Sequence, residues 1–142
     1  MAHINLPHDH GQSVNKVLEQ IPEEIEFQNV ANLLHQMGDY NRVRLFWILC
    51  HCEECVINLS ALMGMSSPAI SHHLKQLRTS GLIVCRRSGK EVYYRTADTI
   101  QTKLLHRLIE QLFTISCPQP AGELEHSTEG GVCIGRIPIN SD

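Results

Sequence analysis

Cys50, Cys52 and Cys55 fall within one six-residue run, CHCEEC, with His51 inside it. Thiolates this close can converge on one soft cation, because a Cys-x-x-Cys step lets two sulfurs approach a tetrahedral centre at about 2.3 Å each. Cys52 and Cys55 are therefore candidate metal ligands. Cys50 reads two ways, as a further ligand or as a small core residue, since free Cys packs as a small hydrophobe. A second group of ligands opens the chain, with His8 and His10 in PHDHG and His3 further out. In all, 6 Cys and 9 His stand among 142 residues. In a reducing compartment such bunching points to metal or redox chemistry before structural disulfides. That compartment is the expected one: no apolar run approaches the roughly 20 residues of a membrane span, and Met1 to His10 lacks the apolar stretch of a secretory signal. A cytoplasmic protein of one globular domain is expected.

The net charge of -3 argues weakly against a nucleic-acid partner, but the charge is unevenly spread. Residues 66–96 carry 6 Lys and Arg against the single Glu91, half of all the basic side chains in the chain. The segments on either side are both net acidic. A compact basic element within an acidic frame is how a small DNA-binding module can sit in an acidic protein.

The elements that would position these groups follow from periodicity and boundary residues. Ser13 can cap a short helix with Val14, Val17, Leu18 and Ile21 at helical spacing, ending at Pro22. A longer helix follows, with Pro22 at its head, Glu23, Glu24 and Glu26 in its first turn, apolar Ile25, Val30, Leu33, Leu34 and Met37, and Gly38 after its end. Asn41 can cap the next, Arg42 to about Cys50, with Val43, Phe46, Trp47 and Cys50 on one side. After a break at His51 to Glu54, a helix from Cys55 to Met63 closes at Gly64.

Residues 64–81 (GMSSPAISHHLKQLRTSG) then read as a turn and a second helix, capped by Ser67, with Pro68 in its first turn and Ile70, Leu74 and Leu77 facing inward. This is a helix-turn-helix pattern. Ser67 at the start of the helix and Ser71, His72, Lys75, Gln76 and Arg78 on its outward face can hydrogen-bond to phosphates and base edges. Strand-like residues 82–86 and 91–96 enclose a tip of Arg87, Ser88, Gly89 and Lys90. A basic hairpin directly after such a helix is a wing, whose Arg86, Arg87 and Lys90 would reach phosphate or the adjacent minor groove.

A last helix, capped by Asp98 or Thr99, has apolar Ile100, Leu104, Leu105, Leu108, Ile109, Leu112 and Phe113 and ends before Pro118. That stripe is too wide for a lone surface helix. It is expected to pair with the helix from Glu23 to Met37 across a homodimer. Pro118 to Asp142, with three Pro and four Gly, reads as a flexible tail. The expected organisation is an arm with a short helix (1–22), a winged-helix DNA-binding and dimerisation domain (23–117) and the tail (118–142). The fold class is mainly α with a β-hairpin wing.

Asn41-Arg42-Val43-Arg44-Leu45, the EECVINL stretch from Glu53 to Leu59, AISHHLKQLRTSGL from Ala69 to Leu82 and GKEVYYR from Gly89 to Arg95 together resemble the ArsR/SmtB family of metal-responsive winged-helix repressors. The resemblance covers roughly residues 25–115. It implies a homodimer that represses an operator when metal-free and releases DNA when an inducer binds. Cys55 falls on the first Cys of the family's CVC motif, whereas Ile57 replaces the second and Asn58 the acidic residue of that motif. In the cadmium- and lead-sensing branch, the N-terminal arm of one protomer supplies the missing ligands to the Cys helix of the other. The resemblance thus implies a mixed site of Cys52, Cys55, His8 and His10, with Cys50 and His3 as weaker members. Such an S2N2 set suits Zn(II) and accepts Cd(II). The family's second site, on the last helix, retains only Asp98; Ile100, Gln111 and Thr114 hold its other positions. His106 reads as a solvent-facing or dimer-packing residue, and Cys85 as packing. Cys117, His126 and Cys133 could add ligands.

Two other classes compete. Cys50 and Cys117 lie within about a helical turn of the thiol pair of the family's sulfide- and redox-sensing branch, whose own positions hold Trp47 and Phe113 here. A bridge requires only a Cα separation of about 4.4 to 6.8 Å. An enzyme is disfavoured, because neither a Ser, His and Asp order nor a Gly-rich phosphate loop occurs.

Overall fold

The first boundary of the fold is electrostatic. Glu23 and Glu26 close a reciprocal capping box, in which the Glu23 backbone N–H donates to Glu26 Oε2 at 2.9 Å, and helix α2 runs from there over Glu24–Gln36. The acidic first turn also suits the positive end of the helix dipole. In the computed structural model, which describes residues 4–116, a shorter helix α1 (Val14–Leu18) precedes it. Ser13 stands at the start of α1 but its side chain makes no capping hydrogen bond.

Helix α3 spans Tyr40–His51 and is capped by Asp39, two residues before the expected Asn41. The Asp39 carboxylate accepts from the Arg42 backbone N–H at 2.9 Å. The Arg42 side chain in turn donates to the backbone carbonyls of Gln36 at 2.8 Å and His35 at 3.3 Å, tying the end of α2 to the start of α3. The backbone hydrogen bond from Arg42 is the largest influence holding the Asp39 carboxyl below its usual range. Asp39→Ala should therefore cost about 0.5–2 kcal/mol, the usual worth of an N-cap. That contribution is complete above the ordinary carboxylate range and is lost as pH falls through the lowered value of folded Asp39. Urea midpoints should thus differ between wild type and D39A at neutral pH and converge in acid.

A two-residue strand β1 (Glu54–Cys55) leads into helix α4 (Val56–Met63). Gly64 ends α4 in the left-handed conformation, φ 65°, which a β-carbon would penalise. Helix α5 covers Ser67–Thr79. Its cap is Ser66 and not the expected Ser67, with the Ser66 hydroxyl accepting from the Ala69 N–H at 3.3 Å. Strands β2 (Ile83–Ser88) and β3 (Glu91–Thr96) form a hairpin in register Ser88 to Glu91, with Gly89 at φ 62° in its two-residue turn. The sheet order is β1-β3-β2, all antiparallel.

Leu45, Phe46 and Leu49 of α3, Leu59 and Met63 of α4, and Ile70, Leu74 and Leu77 of α5 are buried together with Leu82 and Ile83. Helix α3 packs on both α5 and β3. Its inward face is rotated from the expected Val43, Phe46, Trp47, Cys50 stripe, for α3 is apolar around most of its circumference and its periodicity does not fix one face. Elements up to Ala97 make one compact unit, and Asp98 opens a second. In that second unit helix α6 (Ile100–Ser116) starts behind Thr99, whose hydroxyl accepts from the Thr102 N–H at 3.2 Å. Thr102, Leu105 and Ile109 are buried, while Ile100, Leu104, Leu108 and Leu112 form an exposed row. Helix α2 likewise has no buried residue and exposes Ile25, Phe27, Val30 and Leu34. No described helix is long and apolar enough to cross a membrane.

Candidate nucleic-acid interface and metal centre

Helices α4 and α5, joined through the Gly64 turn, form a helix-turn-helix, and the β2–β3 hairpin follows α5 as a wing. The Ser60 and Ser67 hydroxyls meet at 3.1 Å across the α4–α5 turn. Burial of Ile70, Leu74 and Leu77 turns Ser71, His72, Lys75 and Arg78 outward, all exposed, with Gln76 half-buried at the edge and Ser67 exposed at the N-terminus. The His72 and His73 rings lie 5.8 Å apart, edge to face. Among the described residues Lys75, Arg78, Arg87 and Lys90 form no ion pair. This exposed positive charge lies on α5, a helix anchored in the core, and on the tip of the hairpin that follows it, where Arg87 Nε donates to the Gly89 carbonyl at 3.3 Å.

Arg86 is placed differently. Its Nε donates to Glu53 Oε1 at 2.8 Å, its Nη2 bonds the same oxygen, and its guanidinium lies 5.0 Å from the centroid of the Tyr93 ring. Arg95, absent from the residues singled out by sequence, stands 3.7 Å from Glu53 Oε2. The hydrogen bonds from Arg86 hold the Glu53 carboxyl below the usual carboxylate range. No pattern in the sequence links Glu53 to arginines more than thirty residues away; its one trace is the acidic pair preceding Cys55.

Cys52 and Cys55 flank that acidic pair. Cys52 caps the C-terminus of α3 and is exposed, and its thiol donates to the Ile48 carbonyl at 3.3 Å. Desolvation, then the neighbouring charge of Glu54, pushes the Cys52 thiol up from its ordinary value. Cys55 is buried, lies in β1 opposite Tyr93 and occupies the N-cap position of α4 without a side-chain capping bond. Cys50 is half-buried on α3, and the His51 ring lies 4.3 Å from that of Trp47 at a tilt of 48°. His8 and His10 are exposed in the arm with ring centroids 6.1 Å apart. Within one chain the described residues do not gather His8, His10, Cys52 and Cys55 around one point. The donor types themselves, two thiols and two imidazoles, fit a borderline cation. Asn58 donates to Glu54 at 2.7 Å and Ile57 is exposed. On α6, Asp98 pairs with Lys103 at 3.0 Å, and half-buried His106 lies 3.3 Å from Glu110. Cys85 is half-buried in β2, opposite Tyr94. His3, Cys117, His126 and Cys133 lie outside the described residues.

A helix-turn-helix followed by a basic hairpin is a winged-helix module, an architecture suited to binding DNA. The sequence profile described as "Bacterial regulatory protein, arsR family" matches residues 39–84. A transcriptional repressor SmtB homolog from Synechocystis sp. is 33% identical over 72% of this chain and 78% of that protein. A cadmium resistance transcriptional regulatory protein CadC homolog from Staphylococcus aureus is 28% identical over 73% of this chain and 83% of its own length. Among solved structures, reduced HlyU from Vibrio cholerae superposes with a TM-score of 0.57 at 28% identity, covering 67% of this chain and 96% of that one. The chain belongs to the ArsR family of transcriptional repressors.

Proposed function

We propose that this repressor is a homodimer that binds operator DNA when metal-free and releases it on binding Zn(II) or Cd(II). One observation carries the reading: Cys55 sits in a strand hydrogen-bonded to the wing strand β3, so a candidate ligand and a DNA-contacting hairpin share one sheet. Cys52 and Cys55 of one protomer and His8 and His10 of the other would hold the metal, with Cys50 and His3 as further candidate donors. The arm and α1 (1–22) would serve the metal site, residues 23–117 DNA and dimerisation, and residues 118–142 would form a tail. The exposed apolar rows of α2 and α6 support dimerisation, since surfaces of this kind are covered by partners. The metal itself supplies a charged centre that tetrahedral donors must surround. This chain's residues do the rest: thiols lose protons, the arm closes on the turn after α3, and the angle between the two wings changes. The names of the SmtB and CadC homologs, the second of them a cadmium resistance regulator, support a metal signal. A second reading, in which Cys50 and Cys117 form an inducing bridge, draws support from the solution of HlyU in a form described as reduced.

The test is anisotropy of a labelled duplex, selected by the purified protein from a random-sequence pool, titrated with Zn(II), Cd(II), Pb(II), Cu(I) and As(III) in parallel. Thiol mass spectrometry after sulfide or peroxide treatment accompanies it. Zinc or cadmium is expected to release the duplex; release by sulfide or peroxide alone selects the thiol reading. The same assay checks the recognition helix. Lys75→Gln with Arg78→Gln should weaken binding by about tenfold or more and flatten the salt dependence by about one ion per lost phosphate contact. Unchanged affinity and slope would remove α5 from the interface.

A further inference from the structure

Across the three-stranded sheet, Cys55, Tyr93 and Arg86 stand opposite one another in a single row. Residues directly opposite share a face, and alternation along β3 places Arg95 on it as well. Glu53, one residue before β1, reaches both arginines there. Glu54 is occupied elsewhere, accepting from Asn58. A single carboxylate therefore holds two of the wing's guanidinium groups, and it is the only acid among the described residues that pairs with them.

The geometry points to Glu53 as an internal phosphate mimic: it occupies the fork of Arg86, and flanks Arg95, in the DNA-free protein, and DNA phosphate must displace it before the wing can grip. Carboxylate and phosphate oxygens both accept charge-assisted N–H bonds from a guanidinium, so a phosphate oxygen competes with Glu53 Oε1 for Nε and Nη2 of Arg86. Tyr93 keeps Arg86 in place beneath either one, because its ring face attracts the cation whichever acceptor is bound. Glu53 thereby sets how much of the wing's charge is available, while Lys75, Arg78, Arg87 and Lys90 remain available throughout. Glu53 is thus a positioning residue that lowers affinity for DNA of any sequence, a restraint on the sequence-independent part of binding. The inference rests on the wing contacting DNA, and its test separates the two.

The experiment uses the full chain and a mixed-sequence 30-base-pair duplex, with binding measured by anisotropy between about 20 and 200 mM salt, the range over which phosphate contacts declare themselves. Glu53→Gln is expected to tighten binding about 3- to 10-fold at low salt and to steepen the plot of log affinity against log salt by up to about one ion per protomer, because no carboxylate is left to recapture a cation. In an Arg86→Gln background the same substitution should have a smaller effect, a non-additivity that a change in folding alone does not produce. Thermal melts of each variant accompany the measurement. Equal or weaker binding by E53Q, or full additivity with R86Q, overturns the proposal and leaves the DNA reading intact. Failure of the wild type to bind the duplex at the lowest salt overturns both.

Discussion

Replacing Cys52 and Cys55 together by Ser is expected to abolish zinc-induced release of DNA while leaving metal-free binding within about two- to threefold of wild type, the scatter of substitutions worth about 0.5 kcal/mol. The loss should be all of the allosteric coupling, which for metal or small-ligand effectors is typically about 1–3 kcal/mol, a 5- to 150-fold change in affinity. Serine retains the shape of each side chain and removes the soft donor. At Cys55 it also suits the backbone, since position 55 is the N-cap of α4 and makes no side-chain capping bond there, whereas Ser is among the preferred caps. At Cys52 the hydroxyl can still donate to the Ile48 carbonyl as the thiol does. The fold should therefore survive, and circular dichroism with a melt checks that it does. Release by zinc that persists at wild-type strength in the double variant would place the sensor elsewhere. Substitution of His8 and His10 by Ala should reproduce the loss, because removing either half of a tetrahedral set leaves too few ligands.

A sequence encodes some features of a fold locally and others only through what distant segments pack against. The helix-turn-helix and the wing were legible because each boundary is announced by neighbours: Gly64 in a left-handed turn, Pro68 in the first turn of α5, Gly89 between two β-rich runs. Where two good caps lie close together, position is not legible to the residue. Asp39 and Asn41 are both good capping types, as are Ser66 and Ser67, and residue type alone does not choose between them. Strand β1 is invisible in the sequence because two residues have no alternation; it exists where the free edge of β3 offers hydrogen bonds to Glu54 and Cys55. The Glu53–Arg86 pair is likewise a product of that edge, since only the pairing of β1 with the wing brings the carboxylate to the arginine. The proposed metal set is half legible: Cys52 and Cys55 carry a spacing that means something by itself, whereas His8 and His10 are not brought to them within one chain.

Phe46→Ala should have the largest effect on stability, a loss of about 3–5 kcal/mol, set against the roughly 5–15 kcal/mol that holds an ordinary domain together. Phe46 is fully buried in α3, the helix that packs on both α5 and β3. The void left by its ring would open in the buried face of α3 and loosen the helix on which both α5 and β3 pack. Thermal denaturation should show a fall of about 10 °C or more, since each kcal/mol moves the midpoint by about 4–8 °C in domains of 60–100 residues and about 2–4 °C in domains of 150–250. The contrast is Ile57→Ala, at the second residue of α4 and similarly apolar but 67% exposed, which should change stability by no more than about 0.5 kcal/mol. A protein in which F46A melts like I57A would have a core centred elsewhere. If F46A is instead strongly destabilised, addition of duplex DNA should restore part of its midpoint by mass action, because DNA binds only the folded form and its stabilisation grows with free DNA over Kd. That restoration should be smaller than in wild type at the same DNA concentration, for a recognition helix and a wing that no longer share a rigid floor bind more weakly even in the molecules that remain folded.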